Sequence, residues 1–185
     1  MGKAPRTGEA ADVPVVRARL TEVLGVFGDG EVLADARMAM TGRGGTLAIR
    51  TAQQIVAAKA NTTTFDALLA QARASKDALQ RLRIYQALAG VEDEALAQRL
   101  VPVLLSGEVT AGTNAQLMVA LAQPHPALAW TRIVPDLANR RAAITPNYRR
   151  QVAFRTARLL DDPAIVAKVR TYAEREVPAK SAVRA

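Results

Sequence analysis

Cysteine is absent from this 185-residue chain, which excludes disulfides, cysteine nucleophiles and thiolate metal sites. Histidine is nearly absent. The one copy, His125, sits between Pro124 and Pro126, so neither an HExxH zinc helix nor a Ser-His-Asp triad can be assembled. Long apolar runs are missing too: Leu100 to Leu105 and Leu117 to Ala122 are six residues each, against the ~20 that cross a bilayer. No membrane contact is expected. The stretch Met1-Gly2-Lys3-Ala4-Pro5-Arg6 has no apolar run of the signal-peptide kind, and Arg6 occupies the Ser/Thr position of a myristoylation motif. It reads as a leader or a cut end, and the compartment stays open between a reducing cytosol and a secreted protein low in cysteine.

What is present favours helices. The chain carries 38 alanines and 19 leucines against 11 Gly and 9 Pro, a composition of strong helix formers. Asp12 before Pro14 starts a first segment holding Val15, Val16, Leu20, Val23 and Leu24, and Gly25 and Gly28 close it. A short helix is expected over Glu31 to Met40, and another from about Leu47 to Ala60. Thr63 and Asp66 offer a cap for Phe65 to Ala74, Asp77 starts a helix that Gly90 stops, and Asp93 caps one running through Pro102 to Leu105. Further helices are expected over Thr113 to Ala122, Pro126 to about Ala142, 146–160 and 163–176. Thr145-Pro146 and Asp162-Pro163 each put a capping side chain before a proline.

About ten short helices joined by brief turns predict an all-α fold, a right-handed superhelix of stacked αα-hairpins of the HEAT or armadillo kind. The expected organisation is a flexible leader over 1–11, one helical-repeat domain over 12–177 and a flexible tail over 178–185.

The charge is lopsided. Of the net +8, +1 falls before Leu96 and +7 after Ala95. Seven arginines lie between Arg132 and Arg158 (Arg132, Arg140, Arg141, Arg149, Arg150, Arg155 and Arg158), with Asp136 the one acid among them. They read either as a solvated face, since Arg outnumbers Lys 20 to 5, or as an anion-binding concave surface. On a helical wheel Arg149 falls inside the apolar arc of the 146–160 helix, with Tyr148, Val152 and Thr156. Its stem reaches solvent past the helix start, or its guanidinium anchors a substrate. Nucleic acid ranks second as a partner, because aromatics are 4% and no zinc finger, RNA-recognition or helix-turn-helix signature is present. Thr41 to Thr46 is glycine-rich but lacks GK[ST], and it reads as a flexible loop. Trp130, with Ala127, Ile133, Val134 and Leu137 at helical spacing, reads as a core anchor, and His125 as a loop residue.

Three stretches, Thr64-Phe65-Asp66-Ala67-Leu68-Leu69, Arg81 to Gly90 and Asp93-Glu94-Ala95-Leu96-Ala97, occur in an order that resembles the C-terminal helical domain of zinc aminopeptidases of the aminopeptidase N type. Leu24 to Asp29 followed by Glu31-Val32, and Ala129-Trp130, extend that resemblance to roughly residues 13–177. The Gly42 to Gly45 stretch departs from the pattern. The resemblance implies a bowl of HEAT-like hairpins that encloses the peptide chamber and packs on a separate catalytic domain. That domain would hold the zinc, through an HExxH helix and a downstream glutamate, together with a GAMEN-type motif. Neither motif occurs in this chain, so no catalytic residue, metal ligand or cofactor is assigned to it. The implied partners are the catalytic domain of a bacterial-type parent enzyme and its peptide substrate. Position and charge make Arg149, Arg150, Arg140 and Arg141 the candidate peptide- or anion-binding residues. A fragment of such an enzyme would expose an apolar docking surface and self-associate weakly. The alternative is a free-standing basic HEAT-like scaffold for an acidic protein or nucleic acid.

Overall fold

The punctuation residues set where each helix stops. In the computed structural model, which describes residues 8–139 and 144–176, α1 (Val13–Val26) ends at Gly28, whose φ of 88° only glycine adopts without strain. The Asp29 N–H then reaches back to the Leu24 carbonyl at 2.9 Å, satisfying a terminal acceptor. Asp29 turns directly to its next task. Its carboxylate accepts from the N–H groups of Glu31 at 3.1 Å and Val32 at 3.0 Å and so opens α2 (Gly30–Thr41). Three further helices follow: α3 (Ile49–Ala58), α4 (Thr62–Ala74) and α5 (Ala78–Leu88). The cap of α4 is Asn61, which accepts from the Thr64 N–H at 2.9 Å. Thr63 and Asp66, the expected caps, lie inside the helix, because Asn61 offers its carbonyl oxygen a turn earlier.

The chain divides into two compact units between Leu88 and Ala89. In the first, α3 is the central element, packed by α1, α2, α4 and α5. Its core joins Val32, Ala36 and Ala39 of α2 to Ala52, Ile55 and Val56 of α3, with Leu33, Met40 and Leu47 at the edge. Small residues permit this closeness. A Cβ on Gly25 would stand 2.5 Å from the Ile55 Cδ1 atom, so α1 lies on α3 through a residue with no side chain.

The segment after α2, expected as a flexible loop, is fastened to that helix. Gly42 caps it in the left-handed conformation, and the Arg43 N–H bonds the Met38 carbonyl at 3.0 Å. Farther on, the Thr46 N–H and hydroxyl both bond the Asp35 carboxylate, at 2.9 and 2.8 Å. Between these ties Gly45 lies flat on the helix backbone, where a Cβ would meet the Ala39 nitrogen at 2.2 Å.

In the second unit, α6 (Glu94–Leu105) is capped by Asp93, which accepts from the Leu96 N–H at 3.0 Å. Pro102 stands on its exposed face between buried Val101 and Val103, where the carbonyl it leaves without an N–H partner can turn to water. After α7 (Ala111–Ala122), α8 (Pro126–Leu128) runs through a π-helical turn at Ala129–Ile133 into α9 (Val134–Asn139). Pro135 accounts for the turn. Its ring crowds the Thr131 carbonyl and supplies no N–H, and the Val134 N–H bonds Ala129 five residues back. Two more helices complete the unit, α10 (Pro146–Ala157) and α11 (Ile165–Glu176).

His125 is a buried tie. Its Nε2 lies 2.7 Å from the Val91 carbonyl, joining the end of α7 to the chain ahead of α6. Trp130 is half-buried and packs on the cluster of Val134, Ala153 and Tyr172, as its anchor reading requires. Gly112 lets α10 approach α7, for a Cβ there would fall 2.9 Å from the Tyr148 hydroxyl. Among the described residues every regular element is helical. Residues 1–7 of the expected leader and the whole expected tail, 178–185, lie outside the described residues.

The Gly45 contact generates a stability prediction. Gly45→Ala should destabilise the first unit by about 2–3 kcal/mol, because the new Cβ meets backbone that cannot rotate away. Gly30→Ala, where a Cβ meets nothing within 4 Å, should change stability by under ~1 kcal/mol. Urea titration of the two variants checks the contrast.

Candidate functional site

The late basic segment is the place to look for a site, and the structure sorts its arginines by environment. Arg149 is 4% exposed. Its Nη1 donates to the Ile144 carbonyl at 3.0 Å, tying the first turn of α10 to the residue ahead of its N-cap. Thr145, expected to cap that helix with its side chain, makes no such bond. The guanidinium thus points inward and does not reach solvent past the helix start. Arg150 is half-buried, and Arg132, Arg155 and Arg158 are exposed. Arg140 and Arg141 lie outside the described residues.

The helical wheel explains the sorting. Arg149 shares its arc with Val152, Ala153 and Thr156, all buried, so a cation there must find carbonyl or carboxylate oxygens or lose its hydration uncompensated. Arg155 and Arg158 share the outer side with Phe154, whose ring meets Tyr172 of α11 edge-on at 6.4 Å and 79°. Below that ring a groove of about 320 Å³ runs between α10 and α11, lined by Phe154, Ala157, Arg158, Ile165, Val166 and Val169. It is apolar, with one cation at its edge. Such a lining can hold an aliphatic or aromatic group, and it supplies no acid, base or nucleophile.

A second groove, of about 460 Å³, lies between α1 and α3 in the first unit. Arg19, Glu22, Arg50, Thr51 and Gln54 give it a mixed wall. Arg19 is already engaged with Glu22 at 3.2 Å.

The ionisable groups do not converge. Among the described residues no three of His, Asp and Glu stand where they could hold a metal ion. The Asp162 carboxylate has a displaced titration, held below the usual 3.8 by its hydrogen bond to Lys168, at 2.6 Å, and by the Ala164 N–H at 2.8 Å. That pattern belongs to the start of α11, where the carboxylate satisfies a free N–H.

One feature escaped the sequence reading. Val15, Val16, Leu20, Val23 and Leu24, the apolar positions of the first segment, are all exposed, as is Phe27 just beyond them, and on α1 the residue that is buried is Gly25. The signal that could have found it is the pairing of large apolar residues on one side of the helix with Gly25, Thr21 and Ala18 on the other. Comparison with protein-family models, with curated proteins and with solved structures gives no match for this chain.

Two tests follow from these geometries. Arg149→Met keeps the bulk and removes the donor, leaving the Ile144 carbonyl short of a partner, and should cost about 2–3 kcal/mol. Arg155→Ala on the exposed side should stay within about 0.5 kcal/mol by the same chemical-denaturation measurement. For Asp162 the sign is that of a depressed carboxylate: its contribution is complete above the unfolded value near 3.8 and disappears as pH falls through the lower folded value. The Tm gap between the wild-type chain and Asp162→Asn should therefore hold constant at neutral pH and narrow only below 3.8.

Proposed function

We propose that this chain is a noncatalytic helical-hairpin module of a zinc aminopeptidase, one that packs beside a catalytic domain and forms part of the wall around its peptide chamber. The observation that carries the reading is how the helices pair. In the first unit α2 packs on α3 and α4 on α5, and α3 then packs on α5. In the second, α6 packs on α7, and α7 packs on α10, across the α8 to α9 rod. Packing between every second helix is what a stack of hairpins produces, since each hairpin presents one helix to its predecessor and one to its successor. Within each unit that pairing supports the HEAT-like reading.

The motif order around Phe65, Arg81 to Gly90 and Asp93 to Ala97 supplies the choice of enzyme class. On this reading zinc, the catalytic glutamate and the recognition of the peptide amino terminus belong to the partner domain. Arg150, with Arg140 and Arg141, meets peptide carboxylates. Arg149 acts from behind, by fixing the first turn of α10.

The test has two arms. Purified chain, cleared of host peptidases, should leave aminoacyl-arylamides intact with and without zinc, and zinc-dependent cleavage would overturn the reading. In the source genome, the frame upstream of Met1 should encode HExxH with a glutamate ~20 residues on. A peptidase-free upstream region, and none encoded beside it, overturns the assignment.

A further inference from the structure

The first helix is mounted with its large side outward. At about 100° per residue, Val16, Leu20, Val23, Leu24 and Phe27 fall within roughly a quarter to a third of the circumference. They are 44%, 48%, 49%, 47% and 84% exposed. On the opposite side Gly25 meets Ile55 of α3, while Val15 and Val26, 64% and 37% exposed, extend the apolar surface along one flank. A solvated surface helix carries the reverse arrangement.

The spacing of the outward residues is regular. Val16, Leu20, Val23 and Phe27 follow one another at four, three and four residues, the alternation that keeps one seam facing a second helix and lets each side chain enter a gap on it. We propose that this seam is the contact face of a homodimer, formed by α1 pairing antiparallel with α1 of a second copy.

Three observations select a second copy as the occupant. Covering the exposed parts of the five outward side chains completely would remove on the order of 500 Å² per chain, so a symmetric pair buries at most about 1,000 Å², the threshold for a specific interface. It is also self-complementary. In the antiparallel register Val16 meets the partner's Phe27 and Leu20 meets the partner's Val23, giving four apolar layers about a two-fold axis. The cations fall well in that register: Arg17 shares a flank with the partner's Leu24 and Arg19 with the partner's Val26, so no like charges face each other. Arg17 is further neutralised by its ion pair with Glu9, and Arg19 by Glu22. The net charge of +8 per chain opposes approach at low salt, and is screened beyond ~8 Å at physiological ionic strength. The pairing is a property of α1 and holds whichever larger protein the chain serves.

Sedimentation equilibrium of the full chain from about 1 to 300 µM tests it. The expected mass climbs toward twice 19.7 kDa, with a dissociation constant of about 10 µM that tightens as salt rises. Leu20→Glu should weaken association by at least ~30-fold, since a carboxylate cannot be buried at the centre of the seam without a partner. Phe27→Ser, just past the end of the helix, gives the same direction without touching the helix itself. Val166→Glu, at another exposed apolar position, should leave association unchanged, and far-ultraviolet circular dichroism should be the same for all three. A chain monomeric throughout the range overturns the proposal. So does a dimer that survives Leu20→Glu and Phe27→Ser, or one abolished by Val166→Glu, because each places the contact elsewhere.

Discussion

The contact of Gly25 with Ile55 decides which way α1 faces. Helix axes come closest where a side chain is missing, and Gly25 is where α1 settles on Ile55 of α3. The large residues then have nowhere to go but outward. Had position 25 carried a side chain, the Ile55 methyls would hold α1 off, and burial of Val16, Leu20 and Val23 against α3 would compete with the present arrangement. The first unit thus combines a tight interior built on Ala36, Ala39, Ala52 and Ala57 with an apolar exterior on one helix. Interior packing and surface adhesiveness have one cause.

The second unit manages charge by the same logic of faces. Seven arginines cluster in sequence, but the helical period distributes them: Arg149 goes into the packed side of α10, while Arg155 and Arg158 stay on the outside. A buried guanidinium persists only where oxygen acceptors meet it. The Ile144 carbonyl does so at a helix start whose threonine cap leaves that turn without a side-chain acceptor. Local charge density in sequence is therefore a poor guide to surface potential here, since part of it is consumed in holding a helix end. What remains outside flanks an apolar groove.

Much of the helical plan was legible because it rests on local rules. Asp29, Asp93, Gly28 and Gly42 act within four residues of themselves, so their roles can be read without knowing the fold. The boundaries moved where two capping side chains competed, as Asn61 did with Thr63. The placement of the site was less legible, because exposure depends on contacts distant in sequence. The small side of α1 is readable from Gly25, Thr21 and Ala18, but not that α3 will meet it, and nothing near Arg149 says that its donor will be used on Ile144. His125 shows the same limit: a histidine between two prolines looks like a loop residue, and only the return of the chain at Val91 makes it a buried tie 34 positions away.

Pro102 and Pro135 show how one residue type can have opposite consequences. Pro102 sits on the solvent side of α6, where a missing N–H leaves a carbonyl free to turn to water, and the helix runs on to Leu105. Pro135 is exposed as well, yet there the helix takes a π turn at Ala129–Ile133, with the Val134 N–H bonded to the Ala129 carbonyl. The extra residue in that turn alters the phase of everything beyond it. In an uninterrupted α-helix, Leu128 and Val134 would point to different sides and Arg132 would lie between Leu128 and Ile133. With the turn, Leu128, Ala129, Ile133, Val134 and Leu137 are all buried and Arg132 is exposed. The proline thus re-registers the helix so that its apolar residues share a face, and it keeps one member of the basic cluster on the surface that Arg149 has left.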